Sequence, residues 1–370
     1  MQETSLDALA TQVLWAAFAL SVAFGAIARH THFCTMGAVA DIVTFGDWTR
    51  MRMWGLAAGV AMIGFNMMVA LGWVQASSSL YAGPRIVWLS AGVGGLMFGF
   101  GMVLASGCGS KTLVRIGGGN LKSLVVFLVL GLAAFATLKG ITAVARVATV
   151  DAVFIAVPTG QDLPSLLAPT VGMARESLAA VLGATLGGLL MAWALRRNEG
   201  RAADKLLAGL GLGSIIVLVW WVSGRLGHLA EDPNTLQEAF VATNSRRMES
   251  LSFVAPIAYT LDWLLFFSDK SKLLTIGIVS TVGVVAGSAL HAIGTRSFRW
   301  EGFSDARDTA SHLVGAALMG VGGVAALGCT IGQGLTGLST LSVTSFIALA
   351  AIIAGAVMAL RYQIARIEQA

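Results

Sequence analysis

Long apolar stretches alternate with short polar links along almost the whole chain. Nine of these stretches reach about 20 residues, the length that an α-helix needs to cross a bilayer. They are residues 6–28, 54–74, 87–105, 121–141, 175–196, 205–222, 273–293, 309–327 and 343–361. The pattern predicts an all-α polytopic membrane protein with about nine transmembrane helices.

Four further segments are apolar but short or interrupted by glycine. They are residues 32–46, 108–118, 251–267 and 329–341. Segments of this length more often re-enter the membrane or lie at its surface than cross it. We therefore expect four short re-entrant helices besides the nine spans.

Composition agrees with a membrane protein and excludes a soluble one. Of the 370 residues, 56% are hydrophobic and only 12% are charged, whereas soluble domains average about 25% charged residues. Residues 6–28 lack the basic start and small-residue cleavage site of a signal peptide, so they are predicted to be a first span. The net charge of +5 comes without a basic cluster, so we expect no nucleic-acid partner.

The link between the fifth and sixth spans sets the predicted orientation. It contains Arg196, Arg197, Arg201 and Lys205, and such basic links stay on the cytoplasmic side. Counting spans outward places the N-terminus in the periplasm and the C-terminus in the cytoplasm of a bacterial inner membrane.

An internal repeat divides the chain. Residues 92–109 align with 312–330 at an offset of 221, which brings five residues of one segment onto identical residues of the other. Gly94, Gly99, Gly101, Gly107 and Cys108 fall on Gly315, Gly320, Gly322, Gly328 and Cys329. Residues 1–174 and 205–370 are then two halves of one transmembrane domain, 1–370, joined by the span 175–196. Corresponding spans are five crossings apart, so the halves are expected to have opposite orientations, as in secondary transporters.

Two glycine-cysteine loops follow the third and eighth spans and form the predicted substrate-binding loops. The first contributes Gly107, Gly109, Ser110 and Lys111, and the second contributes Gly328, Thr330, Gln333 and Gly334. In the second loop, the side chains of Thr330, Gln333, Thr336 and Ser339 are expected to be neutral donors to the solute. Each loop precedes a short helical stretch, whose N-terminal N–H groups attract anions. Neither loop contains a carboxylate, so the expected solute is an anion.

The three cysteines are the candidate path residues. Cys34, Cys108 and Cys329 are widely spaced and form no CxxC pair, so neither a disulfide framework nor a metal site is expected. A neutral thiol is a soft, weak donor and suits a solute with a terminal sulfur or selenium. No catalytic residue, metal or cofactor is predicted. Asp41 and Asp262 occupy nearly equivalent repeat positions and are interpreted as helix caps.

Three segments together resemble the YeeE/YedE-like sulfur transport family. They are "HFCTMGAVAD" (32–41), "GFGMVLASGCG" (99–109) and "GVGGVAALGCTIGQGLTG" (320–337), and the resemblance extends over essentially the whole chain. It implies nine spans with four re-entrant helices, and import of thiosulfate that moves between Cys329, Cys108 and Cys34 through S–H···S contacts. It also implies a sulfur carrier with a TusA-like fold as a separate cytoplasmic partner.

Three alternatives to thiosulfate import remain open from the sequence. The cargo is another sulfur or selenium oxyanion, or the protein is a passive anion channel, or it is a membrane sulfurtransferase that forms a cysteine persulfide. The sulfurtransferase needs a base beside its nucleophile, and only His30 and His32 near Cys34 qualify. The leading hypothesis is a transporter without enzymatic activity.

Overall fold

The protein is built almost entirely of α-helices. The computed structural model describes residues 2–232 and 236–368. Over these residues the helices are α1 (Gln2–His30), α2 (Thr35–Phe45), α3 (Thr49–Ala70), α4 (Trp88–Leu104), α5 (Gly109–Gly117), α6 (Leu121–Lys139), α7 (Ile141–Ala148), α8 (Leu163–Val171), α9 (Arg175–Leu195), α10 (Ala203–Trp221), α11 (Ala255–Leu265), α12 (Ile276–Gly294), α13 (Ala306–Ala325) and α14 (Val343–Glu368). The predicted all-α polytopic membrane class is confirmed.

Each of the nine predicted spans is present as a long helix: α1, α3, α4, α6, α9, α10, α12, α13 and α14. Among the described residues, eight helical segments are long and apolar enough to cross a membrane. The segment α13 is not one of them, because Arg307, Asp308 and His312 make its first turns polar. It is nevertheless 20 residues long and packs along α4 and α6.

Three of the four predicted short segments form the helices α2, α5 and α11. The fourth, predicted at 329–341, forms a π-helical turn at Gly332–Gly337. Two short helices were not predicted. They are α7, whose Ile141, Val144 and Val147 side chains are exposed, and α8, which contains Pro169.

Helix starts in this chain use polar side chains that accept from the first turn. Asn120 accepts from Ser123 N at the start of α6, and Asp305 accepts from Asp308 N at the start of α13. These bonds satisfy peptide N–H groups that have no partner within the helix.

The interpretation of Asp41 and Asp262 as caps is wrong, because both lie towards the C-terminal ends of α2 and α11. Asp41 instead pairs with Arg50 at 3.2 Å, and Asp262 with Lys272 at 2.6 Å. Each ion pair ties a short helix to the chain segment that comes after it.

Glycines let the long helices approach backbone to backbone. A Cβ on Gly94 would lie 2.6 Å from Gly322 O, and one on Gly101 would lie 2.6 Å from Gly315 O. The contact is reciprocal, because the repeat offset of 221 carries Gly94 onto Gly315 and Gly101 onto Gly322. Since rising numbers on α4 meet falling numbers on α13, the two helices are antiparallel.

Other helix pairs repeat the same relation between the halves. In the first set, α1 packs on α12 and α4 packs on α14; in the second, α10 packs on α3 and α13 packs on α6. Exchanging spans one to four with spans six to nine turns each pair of the first set into a pair of the second. The helix packing of the described chain therefore has the two-fold pattern of its sequence repeat.

The long helices connect two faces of the molecule. The strand face carries the links around residues 72–86, 149–162, 227–232 and 236–252. There β1 (Arg85–Ile86) pairs antiparallel with β2 (Ile155–Ala156), and β3 (His228–Leu229) with β4 (Ala239–Phe240). The basic face lies at the other end of α3 and α4 and contains Arg29, Arg50, Lys111, Arg115 and Lys205.

The glycine contact between α4 and α13 predicts a large cost for adding a side chain. Gly101→Val places methyl groups against the α13 backbone, and overpacking of this kind costs about 1–3 kcal/mol. Gly92→Val on the same helix is the control, because no heavy atom lies within 4 Å of a Cβ there. Thermal unfolding in detergent should show a lowered midpoint for the first variant and a nearly unchanged one for the second. Equal midpoints for the two variants would contradict this packing.

Candidate functional site

Each cysteine comes shortly after a residue with a left-handed backbone. The φ angles are +52° at His32, +56° at Ser106 and +57° at Leu327. These residues lie two positions before Cys34, Cys108 and Cys329. Positive φ is uncommon outside glycine, so its recurrence marks one structural device used three times.

The device is a Schellman motif, in which the last helical carbonyls accept from N–H groups beyond the helix end. Phe33 N donates to Ala28 O at 3.1 Å after α1, Gly107 N to Met102 O at 2.8 Å after α4, and Gly328 N to Gly323 O at 2.8 Å after α13. These backbone bonds satisfy carbonyls at the helix ends, and the chain turns sharply into the cysteine.

Two of the three thiols act as caps for the next helical element. Cys34 Sγ accepts from Gly37 N at 3.3 Å at the start of α2. Cys329 Sγ accepts from Gly332 N at 3.4 Å at the start of the π-helical turn. In both cases the sulfur accepts from the residue three positions later, so its lone pair is directed into the turn.

Cys108 is the N-cap residue of α5 but does not cap it with its side chain. Its Sγ lies 3.3 Å from Ser110 Oγ. Among the described bonds, none is donated by the N–H groups of Gly109, Ser110 or Lys111. The first turn of α5 therefore presents free donors beside a thiol.

The three thiols lie in one buried region with Cys108 in the middle. Cys329 is 0% exposed, Cys108 1% and Cys34 8%. Cys108 is close enough to interact electrostatically with Cys34 and with Cys329. We call these thiols the row and name them in the order Cys329, Cys108, Cys34, because Cys108 is the neighbour that the other two share.

Most polar side chains of the second loop are used to hold that loop. Gln333 Nε2 donates to Ala326 O at 2.5 Å, and Thr336 Oγ1 donates to Leu251 O at 2.7 Å. Ser339 Oγ accepts from Trp220 Nε1 at 3.0 Å. Sequence reasoning assigned these residues to the substrate as neutral donors, but their donors already have protein partners.

Thr330 and Gly334 of the second loop form no such side-chain hydrogen bonds among the described residues. Thr330 Oγ1 is buried and has no hydrogen-bond partner among the described residues. A Cβ on Gly334 would lie 2.8 Å from the Trp54 ring, so this glycine allows α3 to approach the loop. Of the predicted second-loop residues, Thr330 is the one that keeps a hydroxyl for a solute.

The first loop packs at Gly109 against the second half of the chain. A Cβ on Gly109 would lie 2.5 Å from Phe253 O, and a Cβ on Gly107 would lie 3.1 Å from Lys111 Cγ. The segment 252–262 resembles residues 32–41, and this alignment makes Phe253 the repeat equivalent of Phe33. It was missed as a site residue, although this alignment places it shortly before the start of α11.

A group of cations surrounds the Cys34 end of the row. Lys111 and Arg115 lie within electrostatic range of Cys34, and neither forms an ion pair among the described residues. Arg50 is directed towards Gly37 at the start of α2, where a Cβ would lie 2.5 Å from its Nη1. The Cys34 end of the row therefore lies at the basic face, where positive charge exceeds negative charge.

A cavity of about 140 Å³ opens on the strand face and reaches the second loop. We call it the strand-face cavity. It is lined by Leu80, Tyr81, Leu138, Arg146, Asn244, Ser245, Glu249, Ser250, Ser252, Ala255, Pro256, Tyr259, Gly277, Gly323, Val324, Leu327 and Gly328. Gly328 directly precedes Cys329, so the cavity leads to the first thiol of the row. Several of its polar walls, among them Asn244, Ser245 and Glu249, come from a link outside the repeat motifs and gave no signal in the sequence.

The cap at Cys34 predicts how its replacement affects stability. Cys34→Ser keeps an acceptor for Gly37 N, whereas Cys34→Ala leaves that N–H without one; losing a side-chain cap costs about 0.5–2 kcal/mol. Thermal unfolding in detergent should give a midpoint for Cys34→Ser close to that of the parent and a lower one for Cys34→Ala. A serine variant as unstable as the alanine variant would contradict the cap.

Comparison with known proteins gives a consistent result. The sequence profile of a family described as Sulphur transport matches residues 30–358. The thiosulfate transporter TsuA of Escherichia coli (strain K12) is 26% identical over 315 residues, which cover 84% of this chain and 83% of that protein. TsuA of Spirochaeta thermophila is 25% identical over 363 residues, covering 91% of this chain and 94% of that protein.

A shorter similarity connects the chain to a second kind of relative. The probable transporter YedE of Salmonella typhimurium is 33% identical over 112 residues, covering 30% of this chain and 26% of that protein. The family profile extends over far more than half of the sequence. The chain therefore belongs to the Sulphur transport family.

Proposed function

We propose that this protein imports thiosulfate across the bacterial inner membrane. The observation that carries the proposal is the buried row Cys329, Cys108, Cys34, which starts beside the strand-face cavity and ends among the cations of the basic face. Two relatives that align over most of their length are named thiosulfate transporters. In this proposal the anion passes from one thiol to the next through S–H···S contacts.

The direction of transport depends on a proposed orientation. The strand face is periplasmic and the basic face cytoplasmic, as the positive-inside rule favours. Residues 1–174 and 205–370 form inverted halves around the connecting helix α9, within a single domain. Residues 1, 233–235, 369 and 370 of these ranges lie outside the described residues. The reciprocal, antiparallel contact of α4 with α13 supports a two-fold axis in the membrane plane.

The main energetic obstacle is an anion in a medium of low dielectric constant. A single charged side chain at the bilayer centre costs at least about 2.5–3.5 kcal/mol. The free N–H groups at the start of α5 and the positive end of its dipole offset part of this cost, at about 0.3–1 kcal/mol for the dipole and more when it is desolvated. Lys111 forms no ion pair with a carboxylate among the described residues, so its side chain is available to compensate the anion. Gly107, Gly109 and Ser110 belong to the same binding loop.

On the outer side, Gly328 and Thr330 are proposed to receive the anion beside Cys329. Gln333 and Gly334 shape this loop through their contacts with Ala326 and Trp54. On the inner side, the cations near Cys34 attract the anion electrostatically. They are also complementary in charge to an acidic protein surface. A separate TusA-like sulfur carrier is the proposed partner there.

No observation favours the alternative of a membrane sulfurtransferase. Its base would be His30 or His32, but His30 contacts His291 Nε2 at 3.3 Å and lies 3.6 Å from Asp204. The described hydrogen bond of the Cys34 thiol is with Gly37 N. A transporter for a related sulfur or selenium oxyanion uses the same geometry, and competition between labelled thiosulfate and each anion separates these cargoes.

The order of the thiols predicts that Cys108 is indispensable for uptake. Cys108→Ala removes the sulfur in the middle of the row, and Cys108→Ser keeps a hydrogen-bond donor of similar size but without sulfur. Uptake of ³⁵S-thiosulfate into proteoliposomes should fall at least about tenfold in both variants, which corresponds to about 1.4 kcal/mol.

Protein yield and unfolding midpoint serve as controls for the Cys108 variants. Normal uptake by Cys108→Ala would contradict the proposed passage of the anion from one thiol to the next. Full uptake by Cys108→Ser together with loss in Cys108→Ala would also contradict it, because a hydroxyl would then be sufficient.

The unpaired charge near Cys34 predicts a specific effect of Lys111. Lys111→Gln removes a cation that compensates the anion inside the protein, so we expect the uptake rate to fall several-fold. Arg197→Gln is the control, because Arg197 is exposed in the link between α9 and α10. Equal rates for the two variants over a range of thiosulfate concentrations would show that Lys111 does not interact with the anion.

A further inference from the structure

The strand-face cavity contains one carboxylate that the proposed anion path does not explain. Glu249 lines the cavity together with Gly328, the residue before Cys329. Its Oε1 accepts from Asn244 N at 3.3 Å and its Oε2 from Ser245 Oγ at 3.2 Å. Its backbone is fixed as well, since Ser223 Oγ donates to Glu249 O at 2.5 Å.

No cation among the described residues pairs with this carboxylate. Glu249 is absent from the ion pairs of the described residues, and Arg146, the arginine that lines the cavity, is bound to Asp151 at 3.2 Å. Arg247 turns away and donates to Ser79 O at 3.3 Å. Tyr81 and Tyr259 lie within electrostatic range of Glu249.

The other walls add no compensating charge. The helix α6 contributes Leu138, α12 contributes Gly277, and the turn after α13 contributes Leu327 and Gly328, which is followed by the Cys329 thiol. The Lys272 and Asp262 side chains pair with each other in a neighbouring cavity. An ionised Glu249 therefore places an uncompensated negative charge where a dianion is proposed to enter.

The protonated carboxyl has the opposite effect on the same solute. It carries no charge, and its O–H donates a hydrogen bond to an oxygen of the anion. Tyr81 lies within electrostatic range of both Glu249 and Cys329. Protonation of one side chain thus changes the cavity from repelling an anion to binding one.

We propose that Glu249 is a specificity-determining residue of the outer site, which admits the anion in its protonated form and repels it when ionised. This inference rests on the proposed transport function. The solute it fits is a small oxyanion that stays ionised at neutral pH, as thiosulfate does. Uptake is then accelerated by an acidic medium on the strand-face side.

The test is the dependence of ³⁵S-thiosulfate uptake on external pH at constant internal pH. Burial raises the pKa of Glu249 to about 7, against the hydrogen bonds from Asn244 and Ser245. Wild-type uptake at subsaturating thiosulfate should therefore fall about tenfold from pH 6 to pH 8. Glu249→Gln should transport at pH 8 as fast as the wild type does at pH 6, with little dependence on pH.

Two further variants make the test decisive. Glu238→Gln changes an exposed carboxylate of the same link, which contacts His228, and should keep the wild-type profile. Ser245→Ala removes a donor that favours the ionised carboxylate, so it should shift the midpoint of the profile to higher pH while Glu249 is still present.

The two kinds of failure are distinguishable. A wild type that takes up no thiosulfate at any pH would overturn the proposed function. A wild type whose uptake does not vary with pH, or a profile that is unchanged in both Glu249→Gln and Ser245→Ala, would overturn the role of Glu249 and leave transport itself intact.

Discussion

A peptide group that leaves a helix inside hydrocarbon loses its partner, and no water is present to replace it. Irregular backbone at this depth persists only where the protein satisfies it or where it lines a cavity. The proposed path places the turns before Cys34, Cys108 and Cys329 at this depth, and all three satisfy helix-end carbonyls in the same way. A left-handed residue closes a Schellman motif on the outgoing helix, and the cysteine that leads into the next short element lies only two residues further on.

The Schellman motif followed by a buried cysteine explains why cysteine and glycine occur together. Glycine lets the neighbouring backbone come close, as at Gly109 beside Phe253 O. A thiol is small and apolar enough to be buried, and at Cys34 and Cys329 its sulfur also accepts from the following turn. The middle turn, at Cys108, leaves its first N–H groups free. The free N–H donors of the row are thus concentrated at its middle thiol.

Much of this arrangement could be predicted from the sequence, because the signals are strong. Apolar length located the nine long helices, and the repeat offset of 221 located the equivalent turns at Ser106 and Leu327. The helices α7 and α8 were missed, because amphipathic segments of eight or nine residues resemble loops when considered singly. The donors of Gln333 and Thr336 were assigned to a solute, because residue type alone does not reveal that Ala326 O and Leu251 O accept from them.

Only the Gly328 end of the strand-face cavity could be predicted from the sequence. The cavity brings together Tyr81, Glu249 and Gly328, which are far apart in the sequence and joined only by the fold. Links of this kind carry no periodicity and lie outside the repeat motifs. Their charge is meaningful only once the neighbours are known, as the ion pair of Arg146 with Asp151 shows.

The central claim is that the three thiols form one path for a sulfur-bearing anion. An experimental structure determined with thiosulfate present, using the anomalous scattering of sulfur to find the ligand, tests it most directly. The account predicts ligand density within contact distance of Cys329 or Cys108, next to the strand-face cavity. Thiosulfate bound at a site away from all three cysteines, with the row closed and empty, would contradict it.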